Sequence, residues 1–184
     1  MKKLILLFVL TGLVLTCTFA QTAQNAAEIS FTFTRQTGSA SNQYAVWIED
    51  ANGQYIKTLY AARWTANGGY SRRPTSIPLW IKNSNRAEMT QTQVDAVSGV
   101  TPRTGPQVYT WDGTNYRGAA VPAGNYVLIL EGTLRWENQV YYRAPIALGR
   151  GAAEAQVSVE YVSGDRDTTA ERTMLSDVRV RVLR

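Results

Sequence analysis

The chain has 184 residues, with 19 lysines and arginines against 14 acidic residues, a formal net charge of +5, one cysteine and no histidine. Without histidine, and with Cys17 as the lone thiol, no Ser-His-Asp or Cys-His nucleophile can be assembled, and zinc, haem and iron–sulfur sites lack their usual ligands. So small an excess of positive charge does not point to nucleic acid.

Lys2 and Lys3, the apolar run from Leu4 to Phe19 and the small residue Ala20 stand in the order of a secretory signal peptide. The apolar run is short for a membrane span, and Thr16 is larger than the residue usual before a lipidated cysteine, so cleavage after Ala20 is expected. Cleavage leaves 164 residues with no cysteine and a net charge of +3, because Lys2 and Lys3 are the leader's only charged residues. That is one domain's worth of chain, and an exported domain without disulfides fits a bacterial periplasm.

Gln21 to Ala27 is small and polar and reads as a flexible arm, leaving 28–184 as a single domain. Ile29, Phe31 and Phe33 alternate with Ser30, Thr32 and Thr34, the period of a half-buried strand. Tyr44 to Glu49 and Gln54 to Tyr60 flank Asp50-Ala51-Asn52-Gly53, a hairpin with an Asn-Gly turn. Arg63 to Trp80 breaks this rhythm with paired glycines, prolines, arginines and aromatics. Its aromatic content predicts an ordered excursion rather than a linker. Ile77 to Asn83 reads as a short helix capped by Ser76, with Pro78 in its first turn. Thr90 and Gln93 form a capping box ahead of Val94 and Val97, predicting a second short helix that ends at Gly99.

Val108 to Tyr126 predicts a strand, an Asp112-Gly113 turn after Trp111, and a Pro122-Ala123-Gly124 turn into the next strand. Tyr126 to Trp136 and Val140 to Leu148 form a hairpin around Glu137-Asn138-Gln139. Val157, Val159 and Tyr161 mark another strand, 163–173 a charged loop, and Val178, Val180 and Val182 the last strand. About eight strands with one helical insertion predict a mainly β fold, an antiparallel immunoglobulin-like β-sandwich.

Trp111, Asp112, Gly113, Gly118, Val121, Pro122, Ala123, Gly124 and Tyr126 form a pattern that resembles the immunoglobulin-like domain of flagellar hook-capping proteins. A wider likeness runs through SNQYAVWIED, KTLYAARWTANGGYSRRP, VDAVSGVTPRTG, YTWDGT and EGTLRW. On these segments the chain resembles the domain of unknown function 2271 family of predicted periplasmic proteins. Asp95-Ala96-Val97-Ser98-Gly99-Val100-Thr101 is similar to the D-x-x-S-G-A-T segment of FMN-binding domains in membrane redox complexes, with Val100 in place of the alanine. That resemblance implies FMN joined to the Thr101 hydroxyl through a phosphoester by a separate FAD:protein FMN transferase. It gives Ser98 and Gly99 the part of small neighbours that admit the segment to the transferase, and Asp95 a part in recognition. Gly99 would also free the backbone from the preceding helix, and Pro102 biases Thr101 toward an extended conformation.

Arg63, Arg72 and Arg73, with Trp64 and Tyr70, have the chemistry to pair a phosphate and stack an isoalloxazine ring, or equally to form a solvated surface. Trp47, Trp111 and Trp136 fall on strand patterns and read as packing. Gly164-Asp165-Arg166-Asp167 reads as a polar loop rather than a calcium site. Nothing in the sequence brings Asp112 and Glu131 together as a catalytic pair. The expectation is an exported, non-enzymatic sandwich carrying FMN on Thr101 and exchanging electrons with a membrane redox protein. The alternative is a cofactor-free structural or adaptor protein like the hook-capping domains.

Overall fold

The computed structural model describes residues 26–37, 41–164, 166 and 169–183. The leader, residues 21–25 of the expected arm, and Asp165 and Asp167 of the acidic loop lie outside them. The arm is shorter than expected. Strand β1 (Ala27–Phe33) already begins at Ala27, and Ala26 and Ala27 are buried.

β2 (Gln43–Asp50) and β3 (Tyr55–Ala62) form the expected hairpin, with Gly53 at φ 78° and the Asp50 carboxylate accepting from the amides of Asn52 and Gln54. β4 (Ser98–Gly99), β5 (Gly105–Trp111), β6 (Gly124–Thr133), β7 (Gln139–Leu148), β8 (Ala153–Ala155), β9 (Ser158–Val162) and β10 (Leu175–Val182) follow. Among the described residues they build a sandwich of two sheets, ordered β5-β1-β10-β8 and β4-β3-β2-β6-β7-β9. The expected antiparallel pattern holds for every pair except β3 with β4, which run parallel. β6 stops three residues short of the expected end. Trp136 falls instead in a 3-10 turn, Arg135–Glu137, where Glu137 turns the chain at φ 67°.

The core between the sheets takes Ile29, Phe31, Phe33, Val180 and Val182 from one side, and Tyr44, Val46, Ile48, Leu128 and Leu130 from the other. The alternating burial of β1 follows from that single apolar face. β2 does not alternate. Ala45 and Trp47 point away from the sandwich into a second core with Ala61 and Ile129, closed by Ala66, Ile77, Trp80 and Val94. The excursion between β3 and β4 is therefore a third layer on the outer face of the six-stranded sheet. It consists of α1 (Arg63–Ala66), α2 (Pro78–Asn83) and α3 (Gln91–Val97), with 3-10 turns at Gly69–Ser71 and Arg86–Glu88. Covering both faces explains why Tyr44 to Ile48 is a continuous apolar run. Burying Trp47 and Trp80 contributes about 5 kcal/mol each of transfer free energy.

The capping box of α3 is present, with Thr90 Oγ1 accepting from the Gln93 amide and the Gln93 side chain accepting from the Thr90 amide. Its helix ends at Val97, before the expected Gly99, because Ser98 and Gly99 pair with Ala61 and Ala62. The expected cap on α2 is wrong. Ile77, not Ser76, occupies the cap position, at φ 41°, and the Ser76 hydroxyl instead accepts from Thr65 Oγ1. The helix is capped from the sheet beneath it. Glu131 on β6 accepts from the amides of Leu79 (3.0 Å) and Trp80 (2.7 Å), and Thr133 Oγ1 accepts from the Ile77 amide (2.8 Å).

Trp111 and the turns after it are structural. Asp112 receives Lys57 Nζ at 3.0 Å and the Thr114 amide and hydroxyl, while the Trp111 indole N–H donates to the Thr114 carbonyl. Tyr126 meets the Trp111 ring edge-on and donates to the Pro122 carbonyl.

Candidate functional site

The segment from Asp95 to Thr101 starts on α3, runs through the edge strand β4 and ends in the 100–104 loop before β5. Ser98 and Gly99 are half-buried there, and the Ser98 hydroxyl is buried without a hydrogen-bond partner. The reason for glycine at 99 differs from the one expected. Its backbone is not left-handed; instead a Cβ at this position would sit 2.7 Å from the Tyr60 ring, which lies against it. The same Tyr60 hydroxyl reaches the carbonyls of Val100 (3.1 Å) and Gly99 (3.3 Å). Val100 is 68% exposed. Thr101 is half-buried, and its hydroxyl takes part in no hydrogen bond among the described residues. Downstream, Thr104 Oγ1 accepts from the Arg35 amide, so the loop is held on both sides of Thr101.

Asp95 leaves this group and faces another. It lines a surface cleft of about 610 Å³ together with Arg63, Trp64, Asn67, Arg72 and the glycine pair 68–69. The cleft gathers three of the five residues that the sequence offered for a phosphate and a ring. Arg73 and Tyr70 do not line it, and Tyr70 lies instead beside the Arg86 guanidinium, whose Nε donates to the Ala66 carbonyl. The Gln91 side-chain amide donates to both Asn67 Oδ1 (2.7 Å) and Asp95 Oδ1 (2.8 Å), tying α3 to the end of α1.

Cleft and loop are neighbours through Tyr60. Burial pushes the Tyr60 phenol above its ordinary pKa, as does the nearby Tyr109, while Tyr44 and the positive charge of Arg63 pull the other way. Tyr44, Tyr60 and Tyr109 pack together, with Tyr44 and Tyr109 hydroxyls 2.7 Å apart.

A family model described as predicted periplasmic protein (DUF2271) matches residues 24–165. The chain belongs to the DUF2271 family. The compartment named in that description agrees with the exported chain expected from the leader. Comparison with curated proteins and with solved structures finds no match to either. Among the described residues of this DUF2271 protein, no helix is long and apolar enough to cross a membrane.

The roles of two residues in the DUF2271 fold escaped sequence reasoning. Tyr60 is an ordinary strand tyrosine by pattern, and only the fold sets it beneath the Gly99–Val100 peptide. Glu131 is fully buried, and desolvation raises its pKa from 4.5 to about 7, against the opposing hydrogen bonds of the Trp80 and Leu79 amides, the Arg143 charge and the Tyr141 hydroxyl. A carboxylate ending the run Val127-Leu128-Ile129-Leu130 was the one available signal. It does not pair with Asp112, which is engaged by Lys57.

Proposed function

We propose that this DUF2271 protein is an exported carrier in an envelope electron-transfer system, with FMN esterified to Thr101, and that it serves a membrane redox protein rather than acting as an enzyme. The observation that carries the reading is the state of Thr101. Its hydroxyl is uncommitted in a loop whose preceding residue is widely exposed. These residues fit an attached flavin, which supplies one- and two-electron transfer when bound. In the attachment step the Thr101 oxygen forms a bond to the FMN phosphorus of FAD, the bond to the AMP phosphate breaks, AMP leaves, and the hydroxyl proton passes to a base of the transferase. Tyr60 holds the Gly99 and Val100 carbonyls and so fixes where the acceptor stands on the sheet edge.

The test is the intact mass of mature protein exported together with an FAD:protein FMN transferase, compared with Thr101→Ala. An FMN-sized increment lost in the variant supports the carrier. Unmodified mass in both, with the transferase active on a control substrate, sinks it. A second reading, a cofactor-free adaptor, is favoured by one observation: packing against Tyr60 already accounts for Gly99 without any transferase.

A further inference from the structure

We infer that the cleft between α1 and α3 is a binding site for a planar heteroaromatic phosphate, a ligand of the mononucleotide class held without a covalent bond. The inference stands whether or not Thr101 carries a flavin.

Trp64 supplies the platform. The ideal Cβ of residue 69 would lie 2.5 Å from Trp64 Cδ2 and Cε3, so the indole rests on the bare backbone of Gly69. One side of the ring is packed while 46% of the residue stays exposed. A large aromatic fixed on one side and open on the other is pre-organised for stacking and loses little freedom when a ring lands on it. Gly68, at φ 97°, makes the turn that brings Gly69 under the indole.

Charge defines the other half of the ligand. Arg63 and Arg72 are both exposed at the cleft, and neither forms an ion pair among the described residues. Two guanidinium groups beside one cleft suit a dianionic phosphate, which takes up their planar donor pairs. Asp95, the cleft's one carboxylate, is not spent on them. Its Oδ1 accepts from Gln91, which leaves Oδ2 for an N–H on the edge of a heterocycle. The Asn67–Gln91–Asp95 bridge holds the two walls at a fixed separation. A volume of about 610 Å³ lies within the range of small-ligand sites.

The experiment uses mature protein made without the transferase, titrated with FMN and with riboflavin and followed by flavin fluorescence. FMN is expected to bind about tenfold or more tightly than riboflavin, because only FMN engages both arginines. Trp64→Ala is expected to weaken FMN about tenfold through lost stacking. The double variant Arg63→Gln, Arg72→Gln alters only exposed side chains, and it should bring FMN down to the riboflavin level with an unchanged circular dichroism spectrum. Displacement of FMN by AMP extends the site to aromatic phosphates in general, and failure of AMP to compete confines it to the flavin. Equal affinity for FMN and riboflavin, or FMN binding untouched by the double variant, overturns the inference. Thr101→Ala should bind FMN as the wild type does, so loss of covalent attachment and loss of cleft binding are read separately.

Discussion

Replacing Glu131 with glutamine probes the link between the sandwich and its helical layer. The carboxylate is fully buried and accepts the Leu79 and Trp80 amides at 3.0 and 2.7 Å. Desolvation outweighs those bonds and moves its pKa from 4.5 to about 7. Between these two values the folded chain keeps a proton that the unfolded chain has released, so stability falls as pH rises through that window. Below it both states are protonated and above it both are ionised, so the slope disappears at either end. The integrated loss is about 3 kcal/mol. The sequence makes the measurement clean. With no histidine, the interior of the window is free of other ordinary pKa values, the remaining carboxylates lying at its lower edge and the terminal amine above it. Glutamine resembles the protonated acid and cannot titrate, so the stability difference between variant and wild type should shift by about 3 kcal/mol in the variant's favour from pH 4.5 to pH 8. Urea unfolding across that range reads it directly. Parallel profiles for the two proteins would refute the reasoning, showing that the helix amides and Arg143 keep the carboxylate ionised throughout.

Three further outcomes follow from the same contacts. Gly99→Ala forces a methyl against the Tyr60 ring and should destabilise by about 1–3 kcal/mol in urea unfolding, with the largest rise in amide exchange at β4. Thr133→Val removes the acceptor of the buried Ile77 amide while keeping the side chain's shape, and should lose about 1–3 kcal/mol by the same assay. Burial pushes the Asp112 carboxyl up, but hydrogen bonds from Thr114 and Lys57 outweigh it and hold the group below its ordinary pKa. Its contribution to stability is therefore present above the unfolded pKa and lost as pH falls through the folded one, and Asp112→Asn should flatten that part of the acid unfolding curve.

The local chemistry of this chain was written in its sequence. The Asn-Gly hairpin, the capping box of α3 and the Trp111-Asp112-Gly113 turn each depend on residues a few positions apart, whose dihedral preferences and hydrogen bonds act without distant help. Period-two alternation likewise announced β1. The Thr101 segment was legible as a motif and the arginines as a composition, yet their relation was not. Asp95 joins Arg63, Trp64 and Arg72 only because α1 and α3 pack side by side on the same sheet face. Tertiary structure alone also chose the partner of each long-range polar group. Glu131 caps a helix 51 residues away from it in sequence at Trp80, and Tyr60 meets the Val100 carbonyl across 40 residues. A strand pattern states that a side chain is inward or outward. What stands on that face is decided by the layer that folds over it, and burial of Trp80 and Ile77 against Trp47 is what draws the layer down.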